Sequence, residues 1–313
     1  MNRYYFKLHD WEIKVHTEVP RYIQTLSTHL PYYFDGSFQK KKSKKNKTRR
    51  ICFKIYERTE KEITSELDQK DLFQLKQHGI CRIVNTKLGN ISIFLNANRK
   101  ILDTVIYHAG FLHPLFLNLL PFGATLMHAS LVSKRNSGIL ILGQSGVGKS
   151  TLSVAFLNQG FTYFSDEHPI IALHNGKILG KSFKNRIGLT RLSANHFPTL
   201  KQSFRWNHYM DKFYLDPLKK NEPLFNTCSI DKILFPRFQR YGTFSIQKLK
   251  PHELFGELTQ DDYFFMDTED NFNNKLGHYH IQIMMELAKD RKGFAINYGP
   301  SDIAKLPAIV EKL

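Results

Sequence analysis

The segment Gly143-Gln144-Ser145-Gly146-Val147-Gly148-Lys149-Ser150 places glycine, lysine and hydroxyl residues at the spacing of a phosphate-binding loop, G-x-x-x-x-G-K-[ST]. That pattern predicts capture of a nucleoside triphosphate. Gly143, Ser145, Gly146, Val147 and Gly148 would wrap backbone N–H groups around the phosphates, and the helix start at Ser150 and Thr151 would add its partial positive charge. Lys149 would reach the β/γ oxygens and the Ser150 hydroxyl would ligate Mg²⁺. Arg237, in Leu234-Phe235-Pro236-Arg237 after an apolar run, is a further candidate contact for the triphosphate, as are Lys184 and Arg186.

These residues need a strand and a helix to hold them. Ile139-Leu140-Ile141-Leu142 reads as a buried strand, and Ser150 to Gln159, closed by Gly160, as the helix. His128-Ala129-Ser130-Leu131-Val132 precedes the loop strand across Lys134 to Gly138, which predicts a hairpin. After the helix, Phe161 to Phe164 leads into Ser165-Asp166-Glu167. Ile170 to Leu173 and Lys177 to Leu179 then flank His174-Asn175-Gly176, a second hairpin with an Asn-Gly turn. Upstream, runs such as Trp11 to Val15, Ile51 to Tyr56 and Ile91 to Leu95 alternate apolar and polar residues, and Tyr32-Tyr33-Phe34 also reads as strand. The pattern turns helical from Asp103 to Leu120. The chain therefore divides into a β-rich part, 1–102, expected to bind substrate or partner, and a phosphate-loop part, 103–313.

The 313 residues are 42% hydrophobic, enough for a full core and two domains. The first residues lack an apolar leader run, and Phe111 to Met127 is interrupted by His113, Pro114, Asn118, Pro121 and Gly123. A cytoplasmic protein without a membrane span is expected. Cys52, Cys81 and Cys228 are too scattered for a disulfide framework or a zinc site. His278 and His280 alternate on an expected strand but lack a third ligand nearby.

A formal charge of +17 is unevenly spread. Lys40, Lys41, Lys42, Lys44, Lys45, Lys47, Arg49 and Arg50 crowd one short segment, which reads as a loop, while His168 to Met210 contains no Asp or Glu. A carboxylate-free stretch after a phosphate site favours polyphosphate, an acidic peptide or a nucleic-acid backbone.

Together these residues carry a family resemblance. A histidine on a strand before the loop, the loop, a short helix and a strand ending in Asp166-Glu167 resemble the HPr kinase/phosphorylase family and its related kinases, among which are peptide-tailoring enzymes such as lasso-peptide kinases. Gly293 to Gly299 followed by a helix resembles the closing strand and helix of that domain. The likeness covers roughly Asp103 to Leu313. It implies an α/β P-loop kinase domain of the HPr kinase and phosphoenolpyruvate carboxykinase type, joined here to a small β-rich N-terminal domain. It further implies ATP and Mg²⁺ as cofactors, Asp166 as catalytic base oriented by His128, Lys149 on the phosphates, and Glu167 with Ser150 on the metal. Two departures stand out. The stretch His168 to Met210 has no counterpart of the family's signature glutamate, which leaves the metal geometry and the reverse phosphorolysis open, and Glu167 stands where the family has Asp, a longer side chain that could recover a missing ligand.

Three functions fit these observations. The first is a kinase acting on a Ser or Thr hydroxyl of an acidic protein or peptide. The second is a kinase for a small hydroxyl compound such as free serine. The third, not favoured, is a nucleotide-dependent nucleic-acid-binding module; no N-K-x-D guanine signature occurs. No membrane partner is expected, and a homo-oligomer is left open.

Overall fold

Among the described residues, strand-forming runs build three sheets. The computed structural model describes residues 1–33, 49–59, 62, 73–77, 80–85, 89–207, 211–217, 223–260 and 276–313, with 73–77 and 80–85 described by their backbone pairing. The lysines from Lys40 to Lys47, the Cys81 side chain and Met210 lie outside the described residues. The chain forms two compact units, 1–125 with 264–280, and 126–263 with 281–313.

The first unit holds a six-stranded sheet in the order Asn2–Leu8, Trp11–Thr17, Arg49–Arg58, Asn90–Asn96, Ile80–Asn85, Phe73–Gln77. Its inward residues, among them Trp11, Ile13, Val15, Ile51, Phe53, Ile91 and Ile93, are fully buried. Each such side chain contributes about 1.5–3 kcal/mol relative to exposure. A helix absent from the sequence reading, Pro20–His29, joins two parallel strands of this sheet. Tyr32 and Tyr33, expected as strand, form a turn after it. The apolar run Asp103–Phe122, long enough to cross a bilayer by length and composition, is mostly buried in the protein. It groups with this unit, because the Phe111 ring lies 5.1 Å from Phe53 and the Tyr22 hydroxyl donates to the Gly110 carbonyl at 2.8 Å. The sequence division at 102/103 assigns that helical run to the catalytic part. Residues 277–290, where His278 and His280 were expected on a strand, form a helix, and His280 Nδ1 lies 2.9 Å from the Thr125 hydroxyl.

The second unit is a mixed α/β layer structure. Ser137–Ile141 lies parallel to Thr227–Phe238, which lies parallel to Lys292–Tyr298. Ala129–Lys134 and then Thr162–Glu167 extend the sheet antiparallel on one side, and Lys177–Lys181 with Ile170–His174 on the other. Alternate residues of the loop strand face opposite ways. Ile139 and Ile141 join Leu152, Val154, Phe156, Leu306 and Val310 on one face, whereas Leu140 and Leu142 join Leu254, Leu258, Ile283 and Leu287 on the other. Both expected hairpins form, and their turn residues Arg135, Asn136, Asn175 and Gly176 all have positive φ, as a tight two-residue turn requires. A small three-stranded sheet, Ile187–Leu189, Lys212–Leu215 and Phe204–Asn207, packs its apolar residues into the first of those two cores.

Candidate phosphate-binding site

The glycine-rich loop leaves the carboxyl end of Ser137–Ile141 and feeds the helix Lys149–Asn158, the context its spacing predicts. Gly148 sits at the helix entrance with φ +100, and a Cβ there would strike the Tyr298 hydroxyl. Only glycine fits that position. Tyr298 uses the same hydroxyl to donate to the Val147 carbonyl at 2.8 Å, and burial pushes its phenol far above the ordinary range, so it stays a donor. Ser145 and Gly146 are exposed at the loop crest, Gly143 is buried at its base, and Thr151 is buried in the first helical turn. The first N–H groups of that helix have no intrahelical partner and face the loop side. Lys149 is 8% exposed and folds its ammonium onto the Gly143 and Gln144 carbonyls, at 2.6 and 3.1 Å.

The acid pair ends the strand Thr162–Glu167. Asp166 is 2% exposed, accepts a hydrogen bond from the Ser130 hydroxyl and meets the hydroxyl of Ser150, while its N–H donates to Asn185 Oδ1 at 3.1 Å. Burial raises its carboxyl above the ordinary value, opposed by the Ser130 and Ser150 hydrogen bonds and then by the Lys149 and Lys212 ammoniums. Glu167 is pushed up to about 7, first by burial and then by the charge of Asp166. It also holds φ +88, a left-handed conformation that costs a non-glycine residue about 1–3 kcal/mol. Ser150 and Asp166 thus touch, with Glu167 next in chain. Hydroxyl and carboxylate oxygens suit Mg²⁺, which takes one or two carboxylates together with phosphate oxygens. Among the described residues, no three His, Cys, Asp or Glu side chains gather around a common point.

Other expected site residues are placed differently. His128 lies in a bend just before the strand Ala129–Lys134, and its ring centroid is 6.5 Å from that of His168. A register shift between Tyr163 and Ser165 sets Ser130 opposite Asp166, where the unshifted register would set Ala129. The Ser130 hydroxyl donates to Asp166, the kind of orienting contact that the sequence assigns to His128. Lys184 is fully buried and donates to the Pro223 carbonyl at 2.7 Å, while Arg186 is exposed. Arg237 reaches the expected end of a strand beside the loop, but its guanidinium pairs with Glu257 at 2.6 Å. Sequence reasoning missed Ser130, Asn185, Lys212 and Tyr298. None of them belongs to a local motif.

No protein-family model matches this chain, and no curated protein matches it. Among solved structures, the Hpr(Ser) kinase/phosphatase from Coxiella burnetii is similar over 60% of this chain and 93% of that one, at 12% identity and a TM-score of 0.28. A likeness that distant carries no argument. The fold and site define a mixed α/β protein with a glycine-rich loop at the end of a parallel strand and, beside it, a buried carboxylate followed in chain by a partly buried one.

Proposed function

We propose that the second unit is an ATP-dependent phosphotransferase of the HPr kinase type, moving the γ-phosphate to a Ser or Thr hydroxyl of a protein or peptide, with a ribosomally made precursor peptide as one such acceptor. The observation that carries this reading is the meeting of the loop hydroxyl of Ser150 with the buried carboxylate of Asp166. Phosphoryl transfer needs positioning and charge neutralisation more than covalent help. Lys149 would exchange the Gly143 and Gln144 carbonyls for the β/γ oxygens. The acceptor hydroxyl would pass its proton to Asp166 as its oxygen bonds to the γ-phosphorus and the bond to the bridging oxygen breaks, releasing ADP. A raised carboxyl pKa makes Asp166 the stronger base for that step. Ser130 would hold its carboxylate in one rotamer. Ser150 and Glu167 would hold Mg²⁺, which supplies neutralisation of the triphosphate charge.

The burial of Asp166 also favours a second reading, a small hydroxyl compound such as free serine as acceptor. Label from γ-labelled MgATP, followed in separate reactions with an acidic serine peptide and with free serine, tests both. Transfer to the peptide supports the first reading and transfer to free serine the second. Lys149→Ala and Ser150→Ala should each abolish transfer, and wild-type rates in either folded variant would sink the loop assignment.

A further inference from the structure

The three parallel strands Ser137–Ile141, Thr227–Phe238 and Lys292–Tyr298 end on the same edge of the sheet. Ligands of open α/β sheets lie outside such carboxyl ends. The glycine-rich loop follows the first strand, so the segments after the second and third are placed to meet whatever part of a ligand extends beyond the phosphates. The segment after the second strand is aromatic and open to water. Phe238 is 42% exposed, Tyr241 89% and Phe244 37%. Single exposed rings are common, but three within seven residues, at a strand end and in the loop after it beside a site, call for an occupant.

Phe238 is tied to the phosphate loop through one residue. Its ring meets that of Tyr298 edge to face at 5.4 Å, and the next residue, Gln239, donates its N–H to the Tyr298 carbonyl at 2.9 Å. Tyr298 in turn holds the Val147 carbonyl. The segment itself carries no Asp or Glu from Lys232 to His252, and the Glu257 carboxylate that meets it is taken up by Arg237. The Arg240 guanidinium sits 5.6 Å over the Tyr241 ring. An anchored, half-exposed ring in a cationic segment, one residue away from a phosphate cradle, has the chemistry to stack a flat, electron-rich heterocycle attached to phosphates.

We infer that the exposed face of Phe238 is the platform on which the purine base of the bound nucleotide stacks. The inference rests on the phosphate-loop reading above and adds the site for the other end of the ligand. Titration calorimetry on the full chain with MgATP and with magnesium tripolyphosphate, which has no base, separates the two. The wild type should bind MgATP more tightly than tripolyphosphate. Phe238→Ala should weaken MgATP about thirtyfold, the middle of the range for removing one stacking ring, and leave tripolyphosphate unchanged. Phe238→Trp should restore MgATP binding, which a merely folding-related loss would not allow. MgATP affinity unchanged in Phe238→Ala, or an equal loss for both ligands, would overturn the platform. A wild type that binds neither ligand would overturn the phosphate-loop reading, and this inference with it.

Discussion

Asp166 and Glu167 are neighbours in chain but differ in environment, and their variants should separate accordingly. Asp166 is the buried partner of two hydroxyls, so Asp166→Asn should keep MgATP affinity near wild type while transfer falls at least about a hundredfold, the lower range for a positioned base. Measuring nucleotide binding and turnover on the same preparation decides the role. A collapse of binding would make Asp166 a metal ligand and leave Glu167 as the base. Glu167 carries a stability signature instead. Its carboxyl titrates near 4.5 in an unfolded chain and is pushed up to about 7 in the fold, so between those values folding takes up a proton. The stability it contributes is present below about 4.5, is lost as pH rises to about 7, and stays lost above. Glu167→Gln should therefore melt higher than wild type at pH 8 and show little advantage at pH 4, with a gap of a few degrees, because about 1 kcal/mol moves Tm by about 2–4 °C at this domain size. Thermal melts across pH, without added metal, test this. Mg²⁺ should narrow the gap, since ligation requires the deprotonated carboxylate and repays its desolvation. Identical pH profiles for the two proteins would mean that the fold leaves the Glu167 carboxyl unshifted.

At the scale of elements, the loop is a local motif held by a distant clamp. Tyr298→Phe keeps the ring but removes the bond to the Val147 carbonyl, worth about 0.5–1.5 kcal/mol, so KM for ATP should rise by roughly twofold to tenfold. Gly148→Ala should do far more, because its Cβ collides with the same hydroxyl at φ +100; the double variant Gly148→Ala/Tyr298→Phe should recover part of the loss if that collision is the cause. Steady-state kinetics on the three variants gives the answer. The loop, its flanking strand and helix, and both hairpins were legible in the sequence, since spacing, apolar runs and turn residues such as Asn175-Gly176 act over a few positions. The clamp was not, because Val147 and Tyr298 are brought together only by the parallel pairing of strands far apart in chain. Ser130 was missed for a similar reason. A bulge between Tyr163 and Ser165 slips the register by one residue and brings Ser130 to Asp166, and such irregularities leave no period to read in the sequence. The strand expected at His278 and His280 failed because a short run of mixed polarity satisfies either period.

Across the whole molecule, charge is the feature that local geometry absorbs least. The carboxylate-free stretch does not act as one surface, because Lys184 is buried while Lys177, Arg186, Arg191, Lys201 and Arg205 are exposed, and Arg191 lies 4.5 Å over the Trp206 ring. The dense run from Lys40 to Arg50 is different, being cationic at eight of its eleven positions. If that run recruits an acidic peptide, its effect acts through a long-range field on encounter and binding, not on the chemical step. Replacing Lys40, Lys41, Lys42, Lys44, Lys45 and Lys47 with Gln should then raise KM for an acidic serine peptide and leave both kcat and KM for ATP unchanged. Salt should reproduce the effect in the wild type. Ionic strength shortens the screening length from about 10 Å at 0.1 M to about 3 Å at 1 M, which weakens surface attraction while sparing ion contacts enclosed by the loop. The variant, already lacking the field, should show a flatter salt dependence of peptide KM than the wild type. Steady-state kinetics against each substrate at several salt concentrations measures both slopes, with a neutral serine peptide as the control. A peptide KM indifferent to salt and to substitution would make the run a solvated segment and leave acceptor choice to the surroundings of Asp166.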